Sequence, residues 1–294
     1  MIQELLYQKK ANGKLLITGE YFVLDGATSL AIPSRYGQTL TVKSSPDFSW
    51  KSYDSLGNLW IKLTDERANS DSGKKLMEIL HSIDGFELKN SFEMEMDFPR
   101  DWGLGSSSTL IALLADFFKV NPYELNERMF KGSGYDIACA FSQTPILYSN
   151  QSKFNPQIHS IQISDTIKQH CYFVYLNKKQ DSREGIQLYR KLGKEKSTFI
   201  HEISSITKEL IEKQNLQDWV YLLGKHEEIV SRTLSLPRAA DIVLKGLPFF
   251  SKSLGAWGGD FAMILTEDSI ENVKKELFNN KIDMVFNYQE LFLK

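Results

Sequence analysis

Two hydrophobic periods run along this chain and divide it into strands and helices. Strand-like runs cover 5–11 and 15–18, with Asn12-Gly13 as a turn signal between them. Further runs at 38–43, 48–53 and 59–63 predict more strands of an antiparallel sheet, and 92–96 alternates apolar with acidic residues, as a strand with one wet face does. The period becomes helical over 72–81, and again after Ser108, where Leu110, Leu113, Leu114 and Phe117 recur at helical spacing. Asn121-Pro122-Tyr123-Glu124 supplies an N-cap, a proline at the first helical position and an acid at the third, predicting a helix to about Phe130. Later, 145–148 and 157–163 read as strands, 170–176 is a strongly apolar strand, helices fill most of 182–251, and 261–266 is again a strand. Such an order predicts mixed α+β. His226 falls at helical spacing from Leu222 and Leu223 and reads as a core histidine, or one behind a site, before it reads as a base.

The stretch Asp97–Phe118 stands out from this pattern. Gly103-Leu104-Gly105 precedes Ser106-Ser107-Ser108 and then the long apolar helix. Two glycines two residues apart let the backbone turn sharply and bring its amides close to a bulky anion. Serines are good N-cap types, and a helix N-terminus carries free N–H groups at the positive end of its dipole. A phosphate cradle and a plain serine-capped core helix both fit these residues. Neither G-x-x-x-x-G-K-[ST] nor a strand-linked G-x-G-x-x-G occurs in the chain.

Three segments together resemble the GHMP kinases, the family of galactokinase, homoserine kinase, mevalonate kinase and phosphomevalonate kinase. Gly103–Ser108 is similar to the family's second motif, which wraps the nucleotide phosphates. Ala11-Asn12-Gly13-Lys14-Leu15 followed by Gly19-Glu20-Tyr21 resembles the opening motif, with Asn12 where proline is usual. Ser253-Leu254-Gly255-Ala256-Trp257-Gly258-Gly259-Asp260 resembles the third motif, with Trp257 in place of a glycine. A large indole there needs space and a negative φ, and would cover the nucleotide or shrink its pocket. Between these lies Glu127 to Ala138, similar to the segment where a glutamate late in one helix helps hold Mg²⁺ and a Gly/Ser turn leads to an aspartate opening the next. Its acids stand about two residues closer than in mevalonate kinases, so Glu124 is the fallback for Glu127.

By that resemblance the fold is a two-domain α+β GHMP kinase fold: an N-terminal ribosomal-protein-S5-like domain over 1–168 and a C-terminal ferredoxin-like domain over 169–294. Asp136 and Lys14 are the implied catalytic pair. Gly103, Leu104, Gly105, Ser106, Ser107, Ser108, Gly255, Gly258 and Gly259 would bind the ATP phosphates, with Ser107 and Glu127 on Mg²⁺. Glu20, Tyr21, Lys179, Arg183 and Asp260 would face the acceptor. Each residue has a plainer reading: Lys14 an edge lysine, Glu20 a surface carboxylate, Asp136 the cap of a helix over 137–141, and the charged run 178–184 a solvated turn. The resemblance implies an ATP-dependent kinase of the mevalonate pathway, with phosphomevalonate first and mevalonate second, because Gly-Glu-Tyr and Gly-Gly-Asp lean that way. Diphosphomevalonate decarboxylase, a sugar or homoserine kinase, and a ligand-binding homologue without turnover are the alternatives.

Composition changes little in this picture. A formal net charge of −2 with no block of like charge gives no call for nucleic acid or a membrane surface. No apolar run reaches membrane-span length, and the opening MIQELLYQKK lacks a signal-peptide core, so a cytoplasmic protein is expected. Cys139 and Cys171 make no disulfide framework. The expected partner is a small-molecule substrate, and the expected state is monomer or homodimer.

Overall fold

The structure is a computed structural model and describes residues 3–64, 70–152, 154–177, 182–193, 196–255, 257 and 260–293, with backbone alone for 182–184. In chain order its elements are β1 (Leu5–Leu16), a 3-10 turn (Phe22–Asp25), β2 (Ser29–Lys43), β3 (Ser49–Tyr53), β4 (Leu59–Leu63), α1 (Asp71–His81), β5 (Ser91–Met96) and α2 (Ser106–Phe118). These are followed by α3 (Pro122–Met129), α4 (Tyr135–Cys139), β6 (Ile146–Ser149), β7 (Gln157–Ser160), α5 (Asp165–Gln169) and β8 (Cys171–Tyr175). The last third holds α6 (Ser182–Arg190), α7 (Lys196–Glu212), α8 (Leu216–Leu234), a 3-10 turn (Ala239–Asp241), β9 (Phe250–Ser253), β10 (Phe261–Leu265), α9 (Ile270–Asn279), β11 (Val285–Asn287) and α10 (Tyr288–Leu291). Among the described residues no helix is long and apolar enough to cross a membrane.

Several helices begin where local chemistry says they should. Ser70, Asn121, Ser164, Asn215 and Ser269 each accept a backbone N–H of the first turn of α1, α3, α5, α8 and α9. Long-range pairing overrides local preference elsewhere. The expected turn at Asn12-Gly13 does not form, and β1 runs unbroken through it. Gly37 explains why: a Cβ there would come within 2.0 Å of the Ala11 carbonyl oxygen, so the two strands approach more closely than any side chain allows. The Asn12 N–H is also taken, by the Ala140 carbonyl at 2.7 Å. Helix does not continue to 251 either. It ends at Ser235, in left-handed conformation at φ 53°, with Pro237 just beyond, and the chain returns as the strand β9.

The chain folds into two compact units that interleave in sequence. The first comprises Met1–Gly13, Tyr36–Arg100 and Leu104–Phe141. Here β4, β3, β5 and β2 lie in that order, with β1 also paired to β2. β3 runs parallel to β5, against the all-antiparallel expectation, while β2 is antiparallel to β5 and β4 to β3. The chain enters β5 from α1, and that crossover supplies the length a parallel pair needs. Trp50 stacks on Phe92 at 5.4 Å between centroids, and Leu76, Leu80, Ile111 and Leu114 complete the core. This apolar body fixes α2.

The second unit comprises Lys14–Arg35, Asp101–Gly103 and Ser142–Lys294. Its antiparallel sheet has the order β11-β8-β10-β9, with Val174, Ala262, Ile264, Val273 and Leu277 in its core. Ser29–Ala31 of β2 pairs with β6, and β6 with β7. Trp102 packs against Tyr175, Phe261 and Phe286 at 5.3 to 6.2 Å, which anchors the residues just before Gly103. We propose a division into an N-terminal domain over 1–168 and a C-terminal domain over 169–294.

Candidate functional site

Three segments far apart in sequence meet in the second unit. Lys14, half-buried near the end of β1, donates from Nζ to the Gly103 carbonyl at 2.8 Å. Gly103 has φ 65°, and a Cβ on it would fall 1.9 Å from Asp260 Oδ2, so the Asp260 carboxylate lies directly against this glycine. Asp260 is fixed in turn, its carbonyl accepting the Leu176 N–H at 2.9 Å. One residue from each of the three glycine-containing segments therefore stands at a single point. Gly103→Ala forces the new methyl onto Asp260 in a backbone region that costs an L-residue about 1–2 kcal/mol. We expect the melting temperature to fall by only a few degrees, which a thermal melt checks.

The rest of the second motif belongs to the first unit. Gly105 starts α2 at φ 90° with no side chain capping the helix, so none of the three serines acts as the expected cap. Ser108 Oγ instead turns back to the Gly105 carbonyl at 3.0 Å, and Thr109 Oγ1 bonds Gln38 Oε1 at 2.7 Å. Leu104 is fully buried and Ser107 is exposed. The sequence thus leaves the first-turn amides of α2 uncapped by side chains on a rigid apolar helix, the arrangement that suits an anion.

Asp136 and Glu127 also lie in the first unit. Gly134, at φ 88°, opens α4, and Asp136 is half-buried in its first turn with Oδ1 accepting the Ile137 N–H at 3.0 Å. Glu127 is half-buried on α3 and Glu124 is exposed. Among the described residues no three His, Cys, Asp or Glu side chains converge as a metal cage. Ser107 and Glu127 are nevertheless hard oxygen donors of the kind Mg²⁺ accepts when phosphates and water supply the rest. Lys14 and Asp136 fall in different units.

Glu20 has a different place from the one expected. It is fully buried, with Oε1 bonded to Lys252 Nζ at 2.5 Å, so its side chain cannot touch an acceptor arriving from solvent. His226 Nε2 lies 3.2 Å from Glu20 Oε2 but already accepts the Gly19 N–H at 2.8 Å. That nitrogen holds a lone pair, so this is no ion pair. Desolvation of the buried carboxyl, outweighing the pull of Lys252, raises the Glu20 pKa to about 7. Desolvation, helped by the Lys252 charge, pushes His226 well below its usual range. The two groups act oppositely on stability. Between 4.5 and about 7 folded Glu20 holds a proton the unfolded chain has released, so its contribution falls as pH rises. Below 6.5 the unfolded chain protonates His226 and the fold does not, so that contribution grows as pH rises. Glu20→Gln should therefore give a melting temperature that climbs more steeply from about pH 5 to 6.5 than in the wild type. Parallel curves would mean that Glu20 holds no proton.

The remaining expectations divide. Tyr21 is buried at φ 62° against Gly185, where a Cβ would meet its hydroxyl at 2.1 Å, which places its ring in the protein interior. Trp257 adopts φ 62° rather than the expected negative φ; its indole is 3% exposed and donates to the Pro237 carbonyl at 2.9 Å. The ring packs into the second unit, with Lys252 Nζ 5.7 Å from its centroid. Gly255 turns at φ 61°, and among the described residues nothing lies within 4 Å of where a Cβ would stand. Lys179, Gly258 and Gly259 lie outside the described residues, as does the Arg183 side chain. Lys252 is not legible in the sequence as a functional residue; its one signal is a lysine in the strand leading directly into Ser253-Leu254-Gly255.

The structure matches the two-domain α+β GHMP kinase fold, which solved structures share over nearly all of the chain. The Methanococcus jannaschii mevalonate kinase matches with a TM-score of 0.68 at 17% identity, covering 98% of each chain. The Streptococcus pneumoniae phosphomevalonate kinase, solved with phosphomevalonate and AMPPNP, matches at 0.68 and 18% over 95% of this chain and 99% of that one. The Lactococcus lactis galactokinase, solved with galactose, matches at 0.62 and 14% over 93% and 89%. At these identities the likeness is one of fold. No protein-family model and no curated protein sequence matches the chain.

Proposed function

We propose that this chain is an ATP-dependent small-molecule kinase that transfers the γ-phosphate to phosphomevalonate first, or to mevalonate. The observation that carries this reading is the meeting of Lys14, Gly103 and Asp260, with Lys14 Nζ 2.8 Å from the Gly103 carbonyl. A core helix that merely needed a cap would not require a lysine and an aspartate from two distant loops at the residue before it. The likeness to a phosphomevalonate kinase holding phosphomevalonate and AMPPNP supports the acceptor class. The burial of Trp257 supports turnover over a homologue without it.

Phosphoryl transfer needs positioning and charge neutralisation more than covalent chemistry. The amides of Gly103 to Ser108 would hold phosphate oxygens, with Gly255, Gly258 and Gly259 as the second phosphate-facing turn. Lys14 would neutralise charge developing on the transferred group. Asp136 would accept or orient the acceptor's proton. Ser107 and Glu127 would hold Mg²⁺, which when bound neutralises phosphate charge. Lys179, Arg183 and Asp260 remain the proposed acceptor contacts.

Coupled ADP release with Mg·ATP, screened against phosphomevalonate, mevalonate, galactose and homoserine, tests the proposal. Turnover with either of the first two supports it. Turnover with galactose or homoserine alone moves the acceptor class, and ATP binding without any turnover sinks the kinase reading.

A further inference from the structure

The second unit buries a cluster of four titratable side chains. Lys252, Glu20 and His226 have no exposed surface, and Glu227 is 2% exposed. These four side chains hold two turns. On one side the Gly19 N–H donates to His226, and Gly19 itself fits only as glycine, since a Cβ would lie 1.9 Å from Ser29 Oγ. On the other side both backbone groups of Ser253 are taken. Its N–H donates to Glu227 Oε1 at 2.6 Å, and its carbonyl accepts from Lys252 Nζ at 2.8 Å. Ser253 Oγ also accepts the Ala239 N–H at 2.8 Å. Lys252 closes the figure by donating to Glu20 Oε1.

Stability alone is a poor reason for such a cluster, because well-packed apolar residues of similar volume do as well or better. Its location suggests another. Ser253 begins the segment that ends at Asp260, whose carboxylate lies against Gly103, and Gly103 offers its carbonyl to Lys14. Ser253 pairs with Ala262 across β9 and β10, and the Leu254 N–H donates to the Phe261 carbonyl at 3.2 Å, one residue from Asp260.

We propose that Lys252 is a positioning residue: by tying Glu20 to the Ser253 carbonyl it fixes the Gly19–Tyr21 turn to the end of β9, and through the pairing of β9 with β10 sets where Asp260 and Gly103 stand. That these residues face a nucleotide rests on the function proposed above; that the two turns are tied does not.

The test uses Lys252→Met and the double variant Glu20→Gln/Lys252→Met in the full chain. Three quantities are read: melting temperature, affinity for Mg·AMPPNP, and amide hydrogen exchange in peptides carrying Gly19–Tyr21 and Ser253–Leu254. The single variant should melt well below wild type. The double variant, which removes both charges together, should recover most of that loss yet bind Mg·AMPPNP at least about tenfold more weakly, as misplaced groups do. Both turn peptides should exchange faster, with α2 unchanged. A double variant with wild-type affinity and wild-type exchange in both turns overturns the proposal, since Lys252 would then only stabilise. Should the double variant fail to fold, Lys252→Gln, which keeps a donor for the Ser253 carbonyl, takes its place with the same readouts. If the wild type does not bind Mg·AMPPNP, the functional reading has failed by itself. Exchange then decides: faster in the two turns supports the tie, unchanged overturns it.

Discussion

Asp136→Asn is expected to lower turnover by about 10²–10⁴-fold, the range a positioned general base contributes, with nucleotide binding nearly intact. The substitution separates two readings of one residue. Asp136 sits in the first turn of α4 and accepts the Ile137 N–H at 3.0 Å. Asparagine keeps an oxygen for that bond and serves about as well at a helix start, so a merely structural Asp136 would tolerate it. A base would not, because the amide cannot take a proton. Steady-state kinetics beside a binding titration make the comparison. A variant as active as wild type would take Asp136 out of the mechanism.

Glu20→Ala is expected to be the most damaging single change to stability. Glu20 and Lys252 are both without exposed surface and joined at 2.5 Å. Above about pH 7, where Glu20 is ionised, removing one partner of such a pair leaves a buried charge uncompensated and costs about 3–5 kcal/mol. For a chain of this size that corresponds to a melting temperature lower by roughly 6–15 °C. Chemical denaturation should show a lower midpoint with an unchanged slope. A loss below about 1 kcal/mol would mean that water already reaches the pair, as it does at exposed ion pairs.

Much of the fold is legible in the sequence because local chemistry and packing agree. Asn121-Pro122 opens α3 as its residue types dictate, and the apolar spacing after Ser108 gives α2 its buried face. Expectation fails where distant parts of the chain decide. Asn12-Gly13 carries a turn signal, but the carbonyl of Ala11 and the bare Cα of Gly37 make it strand. Trp257 in a glycine position reads as an obstruction, and only the fold shows the indole turned inward onto Pro237. The site is legible as residue types, since Lys14, Gly103 and Asp260 each fall in a recognisable motif. Their meeting is not, for no spacing in a sequence tells which loops touch. Glu20 reads as an acceptor contact because carboxylates near turns are usually wet, whereas here a buried ammonium holds it.

The central claim is that the segments meeting at Gly103 hold the phosphates of a nucleotide. Calorimetric titration of Mg·AMPPNP into the wild type, Lys14→Met and Gly103→Ala measures this most directly. One nucleotide per wild-type chain is expected, with affinities at least about tenfold weaker in each variant. A wild type that takes up no nucleotide, or three proteins that bind it equally well, would contradict the claim.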